Sequence, residues 1–271
     1  MHEPLPSGAL SGKSLVIVGG TTGLGFSAAR ACVMAGARVV IVGRDEEKAR
    51  VAGKELGNSA AIFCGDAANP DTTPNAIELA VNSFGGFHGL YHVAGGSGRR
   101  WGDGPLHEIT DEGWRATLDL NLTSLVYSNR AAVKYFLASK QGGVVLNMSS
   151  VLAFSPSPEY FATHAYASAK AAIIGLTQSS AAYYARHNIR FNVLAPALVA
   201  TPMSQRAQTN ETIQRFILTK QPLDGGRIGQ PTDMDAAAVY FLSDGSRFTT
   251  GQVLAVDGGW SVSEGQIPGA A

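Results

Sequence analysis

Cysteine is almost missing from this chain of 271 residues: Cys32 and Cys64 stand alone, with no Cys-x-x-Cys spacing. That argues against a disulfide framework and offers no thiolate cluster for zinc, so no metal is expected and a reduced, cytoplasmic setting fits. No charge of one sign is in excess either. Lys and Arg number 21, Asp and Glu 21, and the pI is near 7.0, so no overall field draws nucleic acid or an anionic membrane. Long apolar runs are also lacking. A long uncharged stretch, 141–158, contains Gln, Asn, several Ser and two Pro, polar groups that an unpaired membrane span does not tolerate. The opening Met1-His2-Glu3-Pro4-Leu5-Pro6 has neither a basic segment nor an apolar core of signal-peptide length and reads as part of a tail, 1–12. No linker, repeat or low-complexity tract divides the rest of the chain, so one domain is expected over 13–262, with a second tail at 263–271.

What is present is a regular alternation. β-branched runs at 15–18, 38–42, 60–64, 89–93, 144–147, 189–194 and 253–256 read as strands, with helical patterns between most of them. The runs lack polar alternation, which marks strands buried on both faces. The expected fold is α/β: a Rossmann-like, doubly wound parallel sheet of about seven strands with helices on both faces. The segment 197–230 breaks the alternation, with a helix-like stretch at 211–220 bounded by Pro202 and Pro222, and reads as a flap over the sheet edge.

The first strand runs into Gly19-Gly20-Thr21-Thr22-Gly23-Leu24-Gly25 and then a helix. Glycines there permit a tight turn and let backbone amides at the helix N-terminus approach a pyrophosphate, so a dinucleotide site is expected. Specificity in such a unit is set after the second strand, where an acidic residue binds the ribose 2′-hydroxyl and an arginine accepts a 2′-phosphate. Here the strand ends Val42-Gly43-Arg44-Asp45. Arg44 favours NADP(H), while Asp45 keeps NAD(H) as the alternative. Asp66, after the third strand, is a candidate to accept from the adenine amino group, or else an ordinary cap or turn residue, and Ala67 beside it is a cofactor-binding candidate. Tyr166 and Lys170, four residues apart in a helical pattern, share one helix face. An ammonium one turn from a phenol is expected to favour the phenolate and bring the group toward working range.

Together these residues resemble the classical short-chain dehydrogenase/reductase family over about 13–260. The glycine turn, Asn121-Leu122, Ser150, Tyr166 and Lys170, the run Pro196-Ala197-Leu198-Val199-Ala200-Thr201, and the late Gly251-Gln252-Val253-Leu254-Ala255-Val256-Asp257-Gly258-Gly259 carry the resemblance. It implies an NAD(P)-dependent oxidoreductase that interconverts a ketone and a secondary alcohol. Tyr166 is then the general acid/base, Lys170 the ribose-binding residue, Ser150 the group that polarises the carbonyl, and Asn121 the holder of a relay water. The cofactor is implied to touch Gly19, Thr21, Thr22, Gly23, Leu24, Gly25, Ala94, Gly95, Asn121, Pro196, Val199 through its backbone, and Thr201. A homotetramer is the usual assembly, and the small residues of 171–185 suit close packing between subunits or, equally, packing in the core.

The chain departs from the family pattern in four places. Val18 replaces a Thr before the first glycine, His92-Val93-Ala94-Gly95 replaces Asn-Asn-Ala-Gly, Ala197 replaces a Gly, and the 151–165 stretch is about three residues longer. His92, at a strand end, reads as a hydrogen-bonded structural group rather than a catalyst. Phe154, Tyr160, Phe161 and His164 in the long loop, with Arg99, Arg100 and Trp101 after the fourth strand, are candidates for the pocket wall. Aromatic rings favour an apolar or cyclic carbonyl substrate; Arg99 and Arg100 hint at an anionic substrate or carrier, but read first as two solvated loop arginines. The non-enzymatic alternative is a dinucleotide-sensing or scaffold protein that binds partners through the flap.

Overall fold

The computed structural model describes residues 8–266; Met1–Pro6 and the end of the C-terminal tail lie outside them. Strands β1 (Ser14–Val18), β2 (Arg38–Gly43), β3 (Ala60–Cys64), β4 (Gly89–His92), β5 (Gly143–Met148), β6 (Ile189–Pro196) and β7 (Val253–Val256) form one sheet in the order β3-β2-β1-β4-β5-β6-β7. Every pairing is parallel. The seven runs expected from the sequence are therefore the seven strands, each with bounds shifted by two residues at most. Strand order reverses between β1 and β4, and the crevice outside their carboxyl ends is where such sheets take ligands.

Helices cover both faces: α1 (Gly23–Met34), α2 (Glu46–Leu56), α3 (Thr72–Phe84), α4 (Asp111–Leu118), α5 (Ser124–Ser139), α6 (Pro158–Phe161), α7 (His164–Tyr184), α8 (Gln205–Thr209), α9 (Glu211–Lys220) and α10 (Asp235–Leu242). Successive residues of a strand point to opposite faces, so Leu15 and Ile17 of β1 join one apolar cluster with α1 and α10. Val16 and Val18 join the other, with α3 and α5. That division explains why the inner strands carry no polar alternation; the edge strands β3 and β7 depart from the expectation, with no fully buried residue, because each has a neighbour on one side only. A third cluster, Val151, Leu198, Ile213, Phe216, Ile217 and Trp260, lies under the flap.

The helix starts are chemically marked. Asp45 caps α2, its carboxylate accepting from the Lys48 amide at 3.0 Å, and Glu46 and Glu47 in the first turn complement the dipole. Asn210 caps α9 in the same way. Between α4 and α5 the chain widens into a π-turn, Asp119–Thr123, which holds Asn121; such turns commonly occur at functional sites.

Candidate active site

At the carboxyl end of β1 the chain turns back so tightly that side chains have no room. A Cβ on Gly19, whose φ is +86°, would lie 2.6 Å from the Ala94 amide nitrogen, and one on Gly25 would lie 2.1 Å from the Gly19 carbonyl oxygen. The turn thus presents bare backbone to a cleft of about 350 Å³. Thr21, Thr22, Gly23 and Leu24 line its near side, Arg44, Asp66 and Ala67 its outer end, and Ala94, Gly95 and Thr201 its inner end. Gly25 supports the turn from behind. A cradle of backbone at a helix N-terminus, bounded by an arginine and an aspartate, fits a dinucleotide.

The inner end opens into a smaller cavity of about 100 Å³, lined by Ser150, Tyr166, Lys170, Pro196, Val199 and Thr201. Tyr166 and Lys170 sit one turn apart on α7, and the Lys170 ammonium is 5.5 Å from the centre of the phenol ring. It donates to the Met148 carbonyl at 3.0 Å. The electrostatics differ from the sequence expectation. Burial dominates and pushes the Tyr166 phenol up to about 12, against an opposing hydrogen bond with Ser150, while burial draws Lys170 down to about 8. Desolvation disfavours the charged form of each group, so in the protein alone the ammonium does not turn the phenol into a phenolate.

Other expected residues act behind this surface. Asn121 is fully buried and lines neither the cleft nor the inner cavity; its amide nitrogen donates to the carbonyls of Gly96 and Thr117, both at 2.9 Å, and its oxygen accepts from the Gly96 amide at 3.0 Å. The Val199 carbonyl accepts from Ser204 Oγ at 2.5 Å. His92 is buried, with Nδ1 2.7 Å from Ser128 Oγ and Nε2 3.1 Å from the Ala94 carbonyl. Burial, and then the charge of Lys170, draw its pKa down to about 3. A neutral ring that donates from Nε2 and accepts at Nδ1 satisfies both contacts. His92 is thus a structural brace for the strand end at the cleft, and the cradle keeps its support without the usual asparagine.

Beyond Tyr166 lies a third cavity, of about 200 Å³. Its wall is mostly apolar, with Val151, Leu152, Phe161, Leu198, Met203 and Trp260 opposite Ser150 and Tyr166. The long loop reaches it in an orderly way: Phe161 packs edge-on to Trp260 at 5.5 Å, Tyr160 rests on Phe216 at 5.1 Å, and the Trp260 indole donates to the Ser155 carbonyl at 3.1 Å. Of the loop aromatics, only Phe161 lines the cavity. Tyr160 lies behind it, and Phe154 and His164 face solvent. Arg99 reaches the wall, but Arg100 stacks on Trp101 at 3.9 Å and neither joins it.

Two residues here were not singled out from the sequence. Arg206, on α8, lines the cavity. Asp103 is buried and accepts from the backbone amides of Ala165 and Tyr166 at 2.9 and 3.0 Å. It caps α7, whose own N-cap residue, Thr163, makes no side-chain cap. Among the described residues no His, Cys, Asp or Glu cluster is arranged to hold a metal, and no helix is long and apolar enough to cross a membrane.

Comparison with known proteins agrees with this geometry. Residues 18–261 match the family model described as enoyl-(acyl carrier protein) reductase. The 2,5-dichloro-2,5-cyclohexadiene-1,4-diol dehydrogenase of Sphingobium indicum B90A is 31% identical over 93% of this chain and 98% of its own length. A short-chain dehydrogenase/reductase structure from Mycobacterium ulcerans superposes with a TM-score of 0.86 at 30% identity, covering 94% of this chain and 92% of that one. The 3-ketoacyl-(acyl-carrier-protein) reductase of Brucella melitensis, solved with NADH, gives 0.81 at 27% identity, covering 93% and 100%. The chain belongs to the short-chain dehydrogenase/reductase family. It is an oxidoreductase of the CH–OH class that works with a nicotinamide dinucleotide.

Proposed function

We propose that this protein interconverts a ketone and a secondary alcohol on an apolar or cyclic substrate, with Tyr166 as proton donor and acceptor. The observation that carries the reading is the position of Tyr166 and Ser150, which line both the inner cofactor cavity and the apolar cavity beyond it. The dinucleotide supplies or accepts the hydride when bound. The chain does the rest. A phenol held up to about 12 is protonated at neutral pH, so in the reducing direction Tyr166 Oη gives its proton to the carbonyl oxygen as the carbon gains hydride. Ser150, hydrogen-bonded to the phenol, polarises the same oxygen. Lys170 holds the nicotinamide ribose, and Val199 and Thr201 bound the nicotinamide pocket. Asn121 fixes the Gly95–Gly96 backbone beside them and serves the relay that returns the proton. The cyclic alcohol named for the Sphingobium relative supports the substrate class.

NADP(H) is the proposed cofactor. Asp45 is spent on capping α2 and on Lys48 Nζ, 2.9 Å away. That leaves Arg44, half-exposed and 3.7 Å from Asp66, to face the ribose. The Brucella structure with NADH keeps NAD(H) as the alternative. The expected setting is cytoplasmic. A homo-oligomer, with a tetramer expected, is proposed through the exposed small residues Ala171, Ala172, Gly175 and Ala182 of α7, and light scattering on the eluting species tests it. A panel of cyclic ketones and alcohols, followed by nicotinamide absorbance with each cofactor, tests the reaction. Turnover of a cyclic ketone with preference for NADPH is expected; no turnover of any member defeats the assignment.

A further inference from the structure

Two cations from distant parts of the chain meet at the mouth of the apolar cavity. Arg99 follows β4, in the turn Arg99–Trp101, and Arg206 lies on α8 of the flap. Both line the cavity that holds Tyr166. Both also donate to one acceptor, the Tyr160 carbonyl oxygen, Arg206 from Nη2 at 2.9 Å and Arg99 from Nη2 at 3.4 Å. That neutral oxygen fixes their positions without cancelling their charge.

Among the described residues no ion pair neutralises them, and the one carboxylate whose field reaches Arg99, Asp103, offsets only part of the charge. Asp103, whose field favours the Arg99 cation, spends its two oxygens on the amides of Ala165 and Tyr166. The two cations repel, and burial together with the charge of Arg206 lowers the Arg99 pKa. A guanidinium carries five N–H donors, so after one bond each to Tyr160 most of them remain for a ligand. Among the other lining residues the charge is nil: Val151, Leu152, Phe161, Leu198 and Trp260 form the body of the cavity.

We infer that the substrate is a keto acid, or the matching hydroxy acid, whose apolar body fills this cavity and whose carboxylate sits between Arg99 and Arg206. A carboxylate is planar and accepts paired N–H donors, which matches the fork of a guanidinium. A neutral substrate of the same shape leaves the two cations with only the field of Asp103 to offset them. This rests on the oxidoreductase reading above, but its binding step can be measured without turnover.

Cyclohexanecarboxylate and cyclohexanecarboxamide have nearly the same shape and differ in charge. Each is titrated by calorimetry into the full chain saturated with NADPH, using wild type, Arg99→Gln, Arg206→Gln and the double variant, after confirming that each variant still binds the cofactor. The carboxylate is expected to bind wild type at least about tenfold more tightly than the amide. The preference should shrink in each single variant and vanish in the double variant, with amide affinity unchanged throughout. Equal affinities in wild type, no measurable carboxylate binding, or an undiminished preference in the double variant overturns the inference. Reduction of oxocyclohexanecarboxylate and of its methyl ester separates the two readings. A charge preference in binding with no ketone reduced keeps the anion site and defeats the assigned reaction, whereas reduction of acid and ester at equal kcat/KM defeats the anion site alone.

Discussion

The dinucleotide cleft, through its inner cavity, and the apolar cavity meet at Tyr166 but are made of different material. The cleft is formed by strand ends and bare backbone, and where Gly19 and Gly25 stand no Cβ fits. The cavity is formed by side chains from a loop and a flap, with Phe161, Leu198, Met203 and Trp260 as its wall. Backbone geometry set by the sheet leaves few alternatives, so the cleft suits one shared ligand. A wall of side chains on connecting segments can change without disturbing the sheet, so the cavity is where specificity varies.

Replacing the group at the junction should have the largest effect. Tyr166→Phe removes only the hydroxyl, and kcat for ketone reduction should fall by on the order of 10² to 10⁴ while dinucleotide affinity, titrated by fluorescence, holds. Near-normal kcat would remove Tyr166 from the chemistry.

The brace behind the cleft should show itself in acid. His92 is held neutral with a pKa near 3, against an ordinary 6.5, so between those values the unfolded chain binds a proton that the folded chain refuses. Stability should therefore fall as pH drops below about 6.5, by about 2 kcal/mol at about pH 5 from this group. Asp235, raised to about 6 by burial, acts in the opposite sense, since its folded form takes up the proton first. The informative quantity is thus the difference between wild type and His92→Asn in urea unfolding across this range. Parallel curves for the two proteins would refute the account.

At the outer end of the cleft, Arg44→Ala should weaken NADPH by about tenfold, an exposed charge-assisted contact, and leave NADH nearly unchanged. An effect within about twofold returns the choice to NAD(H). Converting the site with Gly43→Asp alone should fail for steric reasons, because a Cβ there would lie 2.4 Å from Thr21 Oγ1. Pairing it with Thr21→Gly removes the clash and should carry the preference toward NADH.

The smallest effect is expected on the cavity side, where Asp103→Ala strips the cap from α7. A loss of about 1 kcal/mol in stability should come with a few-fold fall in kcat, and Asp103→Asn should recover part of both. Unchanged kcat at reduced stability would mean that the cap holds the helix without positioning the phenol.

The same division governs what could be read in the sequence. The five inner strands were legible because burial on both faces leaves unbroken apolar runs, the edge strands β3 and β7 because they keep apolar runs although no residue of either is fully buried, and the glycine turn because only glycine fits it. Tyr166 and Lys170 were legible because helical spacing alone puts them on one face. The cavity wall was not. Tyr160 and Phe161 are adjacent, and only the short helix Pro158–Phe161 decides which of them faces inward. Arg206 sits on a five-residue helix too short to show a period. Asp103 caps a helix that begins some sixty residues later, and no local pattern carries that information. The protonation of the phenol and the ammonium was equally illegible, because spacing gives proximity and says nothing of desolvation.

The Asp103 contact also constrains how this enzyme can be rebuilt. The segment that brings Arg99 to the wall of the apolar cavity is the one that grips the first amides of the helix bearing Tyr166. Recognition and reactivity therefore share a hinge point, and the loop after β4 is not a module to be exchanged at will. A graft from a relative has to bring an acidic side chain to position 103, or the new specificity arrives with a displaced phenol.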